Sequence, residues 1–494
     1  MYYVSTRDAS LRYTAAQAIV QGLSREGGLF LPSEIPQLSR EDLTELTRCS
    51  YPERAARIMG LYLDDFSYDE LLGFAEKAYG PAKFDTPAAA PVVNTEPGVY
   101  VQELWHGPTC AFKDMALQML PYLLTASLRK TGEQKTVCIL VATSGDTGKA
   151  ALEGFRDVEH TKILVFYPDG GVSDIQKLQM VTQEGSNVGV CAVRGNFDDA
   201  QTGVKKIFSD EALREELAAR GYFLSSANSI NWGRVLPQIV YYVSAYCDLL
   251  TAEQITMGQT VDICVPTGNF GNILAAYYAR CMGVPIRRLV CASNANNVLT
   301  EFLSTGVYDR NRPFYQTASP SMDILISSNL ERLLYLLSGS DEEVRGYMRQ
   351  LSETGRYTVS GSIKAAIGNI FACGCCDDAG TEEMIGRLYQ KNGYLLDTHT
   401  AVAYRVAEQY RAQSGCSTPI VIASTASPFK FCASVLNALG CTAHKAGAAI
   451  IPQLAAVSSK PAPAPLAGLA GKAVRFDGVT DKDAMRAVVS DFLR

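Results

Sequence analysis

Long apolar runs are missing from this sequence. No stretch approaches the ~18 consecutive apolar residues of a membrane span, which argues against an α-helical membrane protein. A strong charge of one sign is missing too: 45 Lys and Arg stand against 51 Asp and Glu, a formal net charge of −6. That mild acidity leaves no broad basic footprint for nucleic acid or for an anionic membrane face. The opening stretch, MYYVSTRDASLRYTAAQ, has no basic segment leading into an apolar one, so a secretory signal is not expected. Histidine is scarce, and its four positions (His106, His160, His399 and His444) are far apart. Among the 14 cysteines only the CGCC run at residues 373–376 is crowded. It has no second pair at zinc spacing, so it reads as structural, and no metal is expected. Cys138, Cys191 and Cys264 sit inside apolar runs. Buried reduced thiols of that kind fit a cytoplasmic protein.

What is present is an ordinary globular balance, 47% hydrophobic and 19% charged over 494 residues. That length holds roughly two to four domains at ~100–200 residues each. Residues 1–95 carry helical apolar spacing and end in the Pro- and Ala-rich KFDTPAAAPVVNTEPG, a linker or surface crossing. Beyond it one unit recurs. TVCILVA is followed by TSGDTG and a helical KAALEGF; VDICVP by TGNFGN and ILAAYYARCMG; PIVIAS by TASPF and KFCASVLNALG. KILVFYPDGG and VGVCAVRGNFDD add two more strand-to-turn signals. Short apolar strands alternating with helices predict an α/β fold of parallel sheets covered by helices. Such sheets bind ligands beyond the carboxyl ends of their strands, where these Gly/Ser/Thr/Asn loops fall. Residues 300–400 read as a helical insertion, with SNLERLLYLLSGSDEEVRGYMRQL helical throughout. The predicted division is 1–95, 96–245 and 246–494.

Three loops carry chemistry. PTGNFGN leaves a buried strand and enters a helix, so Gly268, Asn269, Phe270, Gly271 and Asn272 form a candidate phosphate cup at a helix N-terminus. The spacing is not a dinucleotide fingerprint, and a plain tight turn is the alternative. TSGDTGKA invites a nucleotide P-loop reading, but Thr143 stands where glycine is required and Ala150 where Ser or Thr is required. Ser144, Gly145, Asp146 and Thr147 read better as a nest for a carboxylate, with a capped helix start as the alternative. HGPTCAFKDMA makes a turn and then starts a helix near Asp114, which places Lys113 at a helix start between apolar neighbours. That setting lowers an amine's pKa, as a Schiff-base lysine needs, although a generic lysine there merely reaches solvent. Together a lysine, a phosphate cup and a carboxylate nest are what pyridoxal 5'-phosphate and an amino-acid substrate require. Thr425 in STASPF is the candidate partner for the ring nitrogen.

The motifs, in order along almost the whole chain, resemble the threonine synthase family. These are pyridoxal-phosphate enzymes of fold type II, the tryptophan-synthase-β-like group, and the likeness is to the long form. STRDASLRYTAAQAIVQGLSREGGLFLP, HGPTCAFKDMA, ATSGDTGKAA, SSANSINWGRVLPQIVYY, VPTGNFGNILAAYYA, PSMDILISSNLERLLY, DTHTAVAYRVAEQY and STASPFKF carry the likeness. It implies two parallel or mixed α/β domains flanking a cofactor cleft, with a family-specific N-terminal domain. Lys113 is then the cofactor lysine and proton shuttle. Gly268, Asn269, Phe270 and Asn272 bind the cofactor phosphate, Thr425 meets the pyridine nitrogen, and Ser144 to Thr147 bind the substrate carboxylate. The implied reaction turns O-phospho-L-homoserine and water into L-threonine and phosphate. For the substrate phosphate Arg234 is the first candidate and Lys149 the second, with Ser226 and Asn228 as polar lining. Relatives acting at β-carbons carry Asn at the position of Asp146, facing the cofactor's phenolic oxygen. Either Asp146 points elsewhere, or Asn228 or Asn231 serves that oxygen. The long form implies a monomer, with a homodimer as the alternative, and neither nucleic acid nor membrane as partner. The rival readings are a related lyase or dehydratase of the same fold, a nucleotide-binding ATPase or kinase, and a non-catalytic binding protein.

Overall fold

Burial on both faces sorts most of the strands into two large sheets. The computed structural model describes residues 1–494, except for the side chain of Asp198. Apolar runs such as Thr136–Ala142 (TVCILVA) and Val261–Pro266 (VDICVP) are buried almost end to end, as strands covered on both sides by helices must be. The smaller sheet runs Val479–Asp481, Val188–Arg194, Thr161–Pro168, Thr136–Ala142, Tyr222–Ser226, and every pairing is parallel. The larger sheet runs Phe371–Cys375, Ile286–Ser293, Val261–Pro266, Ile420–Ser424, Val99–Glu103, Val92–Glu96. Its pairings are parallel except for the hairpin at its edge. The α/β architecture therefore stands as expected.

Several boundaries differ from the sequence reading. The hairpin Val92–Glu96 and Val99–Glu103 straddles the expected division after residue 95 and belongs to the larger sheet. A turn this short, with Gly98 at φ 71°, cannot separate two domains. At the other end, Val479–Asp481 extends the smaller sheet, so the C-terminal segment returns to it. The buried helix Trp232–Thr251 crosses the expected division after residue 245 and packs on the helix Gly271–Cys281. Residues 300–400 are not purely helical. Phe371–Cys375, which holds most of CGCC, is an edge strand of the larger sheet, and Val307–Asp309 pairs with Arg356–Thr358. The stretch expected to be one helix is two, Leu330–Ser338 and Asp341–Thr354. Gly339 ends the first in the left-handed region, and the Ser340 side chain caps the second by accepting from the Glu343 amide. Residues 1–95, expected to be helical, begin with a small antiparallel sheet of Asp8–Tyr13, Tyr3–Ser5 and Phe30–Pro32. Among the described residues no helix is long and apolar enough to cross a membrane.

Candidate active site

Lys113 is placed by the larger sheet. The strand Val99–Glu103 leads into a turn that is stitched to the segment after Ile420–Ser424: the Leu104 amide donates to Ser424 O, and the Phe112 amide donates to Thr425 O at 2.8 Å. Asp114 locks the turn from below, accepting from the Thr109 amide at 2.8 Å and the Thr109 hydroxyl at 2.7 Å. A Cβ on Gly107 would come within 2.6 Å of Asp114, so only glycine fits there. The Thr425 backbone is thereby tied to Phe112, the residue before Lys113.

The Lys113 ammonium is buried over the Phe112 ring, 4.5 Å from its centroid. Burial is the main force lowering its pKa, and the charges of Lys430 and Arg234 add to it. The expected helix-end effect is minor, because the helix Asp114–Leu117 is a single turn.

Asp146 is the first correction within the site. It was expected to share in a nest for the substrate carboxylate, yet its side chain turns inward. It accepts from Gln176 Nε2 at 2.8 Å and from Ser321 Oγ at 3.3 Å, and it pairs with Lys430 at 2.8 Å and Lys113 at 3.5 Å. Two cations hold its carboxyl far below the usual range although burial opposes this. The Gly145 amide is also spent, donating to Thr143 Oγ1 at 2.9 Å beside the Gly148 amide at 2.8 Å. Ser144 and Thr147 remain partly exposed, and Ser144 lines a cavity of about 810 Å³. That cavity runs past Pro168 to Ile175 and Lys430.

Asn228 and Asn231, proposed for the phenolic oxygen, are both engaged elsewhere. Asn231 caps the helix Trp232–Thr251 and donates to Ile19 O at 3.0 Å, while Asn228 Nδ2 donates to Ala142 O at 3.1 Å. Lys149, the second candidate for the substrate phosphate, is held by Glu153 at 3.0 Å and by Gln183. Arg234 differs from both. It is buried, donates through Nη1 to Ala227 O, and leaves Nε without a partner. Burial pulls its pKa down to about 10, so it still carries charge at neutral pH.

The cup follows the strand Val261–Pro266. Phe270 adopts φ 62°, and the helix Gly271–Cys281 starts directly after it. The loop's carbonyls are tied back: Gly268 O accepts from Ser327 Oγ at 2.8 Å, and Asn269 O accepts from the Asn329 amide at 3.1 Å. Among the described residues no protein acceptor takes the amides of Gly268, Asn269, Phe270, Gly271 or Asn272. Asn272 Oδ1 accepts from the Tyr241 and Tyr242 hydroxyls, which turns Nδ2 away from them, buried and without a partner. An orphaned buried donor beside free amides at a helix N-terminus fits a phosphate group. With Lys113 and Thr425 alongside, the residues fit pyridoxal 5'-phosphate.

Comparison with known proteins decides the family. Residues 2–79 match the family model "Threonine synthase N terminus", 80–374 match "Pyridoxal-phosphate dependent enzyme", and 400–489 match "Threonine synthase, C-terminal". Threonine synthase of Pseudomonas aeruginosa is 38% identical over 87% of this chain and 89% of its own length. The chain belongs to the threonine synthase family. The solved structure of threonine synthase from Brucella melitensis, with pyridoxal phosphate bound, superposes with a TM-score of 0.87 at 37% identity, covering 100% of both chains. Human threonine synthase-like 1 is 40% identical over 86% of this chain, but the match spans only 58% of that protein's length. The cofactor of this threonine synthase family member is pyridoxal phosphate.

Sequence reasoning missed Lys430, Gln176 and Ser321. Lys430 and Ser321 lie inside STASPFKF and PSMDIL, motifs legible as family marks but not as site residues. The available signal was a lysine in the apolar turn SPFKF with no carboxylate near it in sequence.

One prediction arises from the cup. A Cβ on Gly268 would lie 2.6 Å from Ser321 O, a backbone atom that cannot swing away. Gly268→Ala should therefore weaken retention of pyridoxal 5'-phosphate by roughly 5- to 150-fold, as a ~1–3 kcal/mol overpacking penalty implies. Equilibrium dialysis of the cofactor checks this.

Proposed function

We propose that this protein converts O-phospho-L-homoserine and water to L-threonine and phosphate. The observation that carries the reading is Arg234, a buried guanidinium with an idle Nε and no carboxylate partner among the described residues. The cup already accounts for the cofactor's phosphate, so a second unpaired buried cation calls for a second anion, which a phosphorylated amino acid supplies. The family assignment supports the same substrate class.

When bound, pyridoxal phosphate supplies an electron sink for carbanions formed at the substrate's α- and β-carbons. The chain's own residues do the rest. Asn272 and the cup amides would hold the cofactor's phosphate, and Thr425 would serve its ring nitrogen. Lys113, once its amine is free, takes the α-proton and then a β-proton at Nζ. Asp146 Oδ2 and Ser321 Oγ, each 3.5 Å or less from a partner in this cluster, keep Nζ oriented while the proton moves. Arg234 holds the substrate phosphate as its bond to Cγ breaks. Ser144 and Thr147 are the proposed holders of the substrate carboxylate. The proposed assembly is a monomer, as the long-form resemblance implies. Cys138, Cys191 and Cys264 are buried thiols, which supports a reducing, cytoplasmic setting.

The test is turnover of O-phospho-L-homoserine by the cofactor-loaded protein, with both products quantified. Threonine and phosphate in equal amounts are expected. Phosphate accompanied by 2-oxobutanoate would instead favour a related lyase of the same fold.

A further inference from the structure

Two lysines converge on Asp146. Lys430 comes from the turn Pro428–Lys430 that follows the strand Ile420–Ser424, and its side chain is wholly buried. Its Nζ lies 2.8 Å from Asp146 Oδ1 and donates to Thr109 O at 3.0 Å. Gln176 Nε2 donates to the same Oδ1 at 2.8 Å. The other oxygen, Oδ2, faces Ser321 Oγ at 3.3 Å and Lys113 Nζ at 3.5 Å. The carboxylate is therefore anchored through one oxygen and presented to the amine through the other. A buried carboxylate facing Lys113 alone would keep the amine protonated, and a protonated amine is no nucleophile. A second buried cation on the far oxygen offsets that pull while keeping the carboxylate ionised.

We propose that Lys430 is a positioning residue, which holds Asp146 ionised and aimed at Lys113 while its own charge offsets the carboxylate's pull on the amine, so that the amine can both keep and release its proton. The proposal rests on the pyridoxal-phosphate reading of the site and is independent of which substrate is used.

The other charged groups around Lys113 are accounted for. Arg234, on the helix Trp232–Thr251, adds positive charge and favours the neutral amine. Asp114 is satisfied by Thr109. His399, on the helix Thr398–Ser414, accepts at Nε2 from the Ser321 amide at 3.1 Å and so acts on the backbone that carries Ser321. Asp323, beside that turn, is held by Thr317, Asn294 and Asn296. Among the described residues Asp146 is the one carboxylate in ion-pair contact with Lys113.

The experiment measures capture of pyridoxal 5'-phosphate by protein freed of its cofactor, followed as the rise of visible absorbance at a series of pH values. The neutral amine is the reacting form, so the capture rate climbs as Lys113 loses its proton. Lys430→Met leaves Asp146 uncompensated, and the midpoint of the climb should move up by about one unit or more. Asp146→Asn leaves Lys430 and Arg234 unopposed, and the midpoint should move down by about as much. The double variant removes one charge of each sign and should return towards wild type. If Lys430→Met does not fold, Asp146→Asn and the double variant still carry the test, because the second substitution must move the midpoint back up. Folded variants whose midpoints match wild type would overturn the proposal, as would a double variant that stays where Asp146→Asn put it. No capture by any of the proteins, wild type included, would overturn the cofactor reading and this proposal with it.

Discussion

Lys113→Ala is expected to abolish both the visible absorbance gained with pyridoxal 5'-phosphate and, by on the order of 10³-fold or more, the turnover of substrate. The reason is that among the described residues no second lysine can replace it. Lys430 is buried against Asp146 and Thr109, and Lys149 is held by Glu153 and Gln183. The fold should survive the change. Asp146 keeps Lys430, Gln176 and Ser321 as partners after the amine is gone, so no buried charge is stranded. Absorbance and activity measured on the same folded preparation check this. A variant that still forms the visible band would show that the cofactor is held elsewhere.

Arg234→Met carries the second large effect, and it separates stability from function. The guanidinium is buried with an unsatisfied Nε and no carboxylate, so in the free protein it is a desolvated charge. Replacement by an apolar side chain of similar length should leave the melting temperature unchanged or raise it. If Arg234 holds the substrate phosphate, losing it forfeits a buried charge-assisted contact of about 2–5 kcal/mol, which is roughly a 30- to 4,000-fold fall in kcat/KM. Cofactor capture should persist, because the cup lies on the loop after Val261–Pro266 and not on this helix. Arg234→Lys should recover only part of the loss, since an ammonium cannot present a guanidinium's planar pair of donors. Steady-state kinetics beside thermal unfolding tests both halves.

What the sequence made legible was local. Strand, glycine loop and helix follow one another within a short span at PTGNFGN and TSGDTGKA, so both could be read as candidate anion loops, with a tight turn or a capped helix start as the alternative. Lys113 became legible through its motif. The partners that define the chemistry were not legible, because the sheets bring them together from distant segments. Asp146, Gln176, Ser321 and Lys430 meet from the first turns of two helices and from two short 3-10 turns. The same holds for architecture. The strand Val92–Glu96 read as part of a linker because the prolines and alanines just before it, at 87–91, dominate that stretch. Phe371–Cys375 looked helical because FACGC has no β-branched residue. The N-terminal strands Tyr3–Ser5 and Phe30–Pro32 have three residues each, too few for an alternation to register. Arg234 and Lys149 were both candidates from sequence, and only the structure shows that Lys149 is paired with Glu153 while Arg234 has no carboxylate partner among the described residues.

The most direct test of the account is turnover of O-phospho-L-homoserine in water labelled with heavy oxygen. Elimination breaks the Cγ–O bond, so phosphate leaves with the substrate's own bridging oxygen, and water then adds at Cβ. The account predicts label in the threonine hydroxyl and none in the released phosphate. Label in the phosphate with homoserine as co-product, or 2-oxobutanoate in place of threonine, would contradict it.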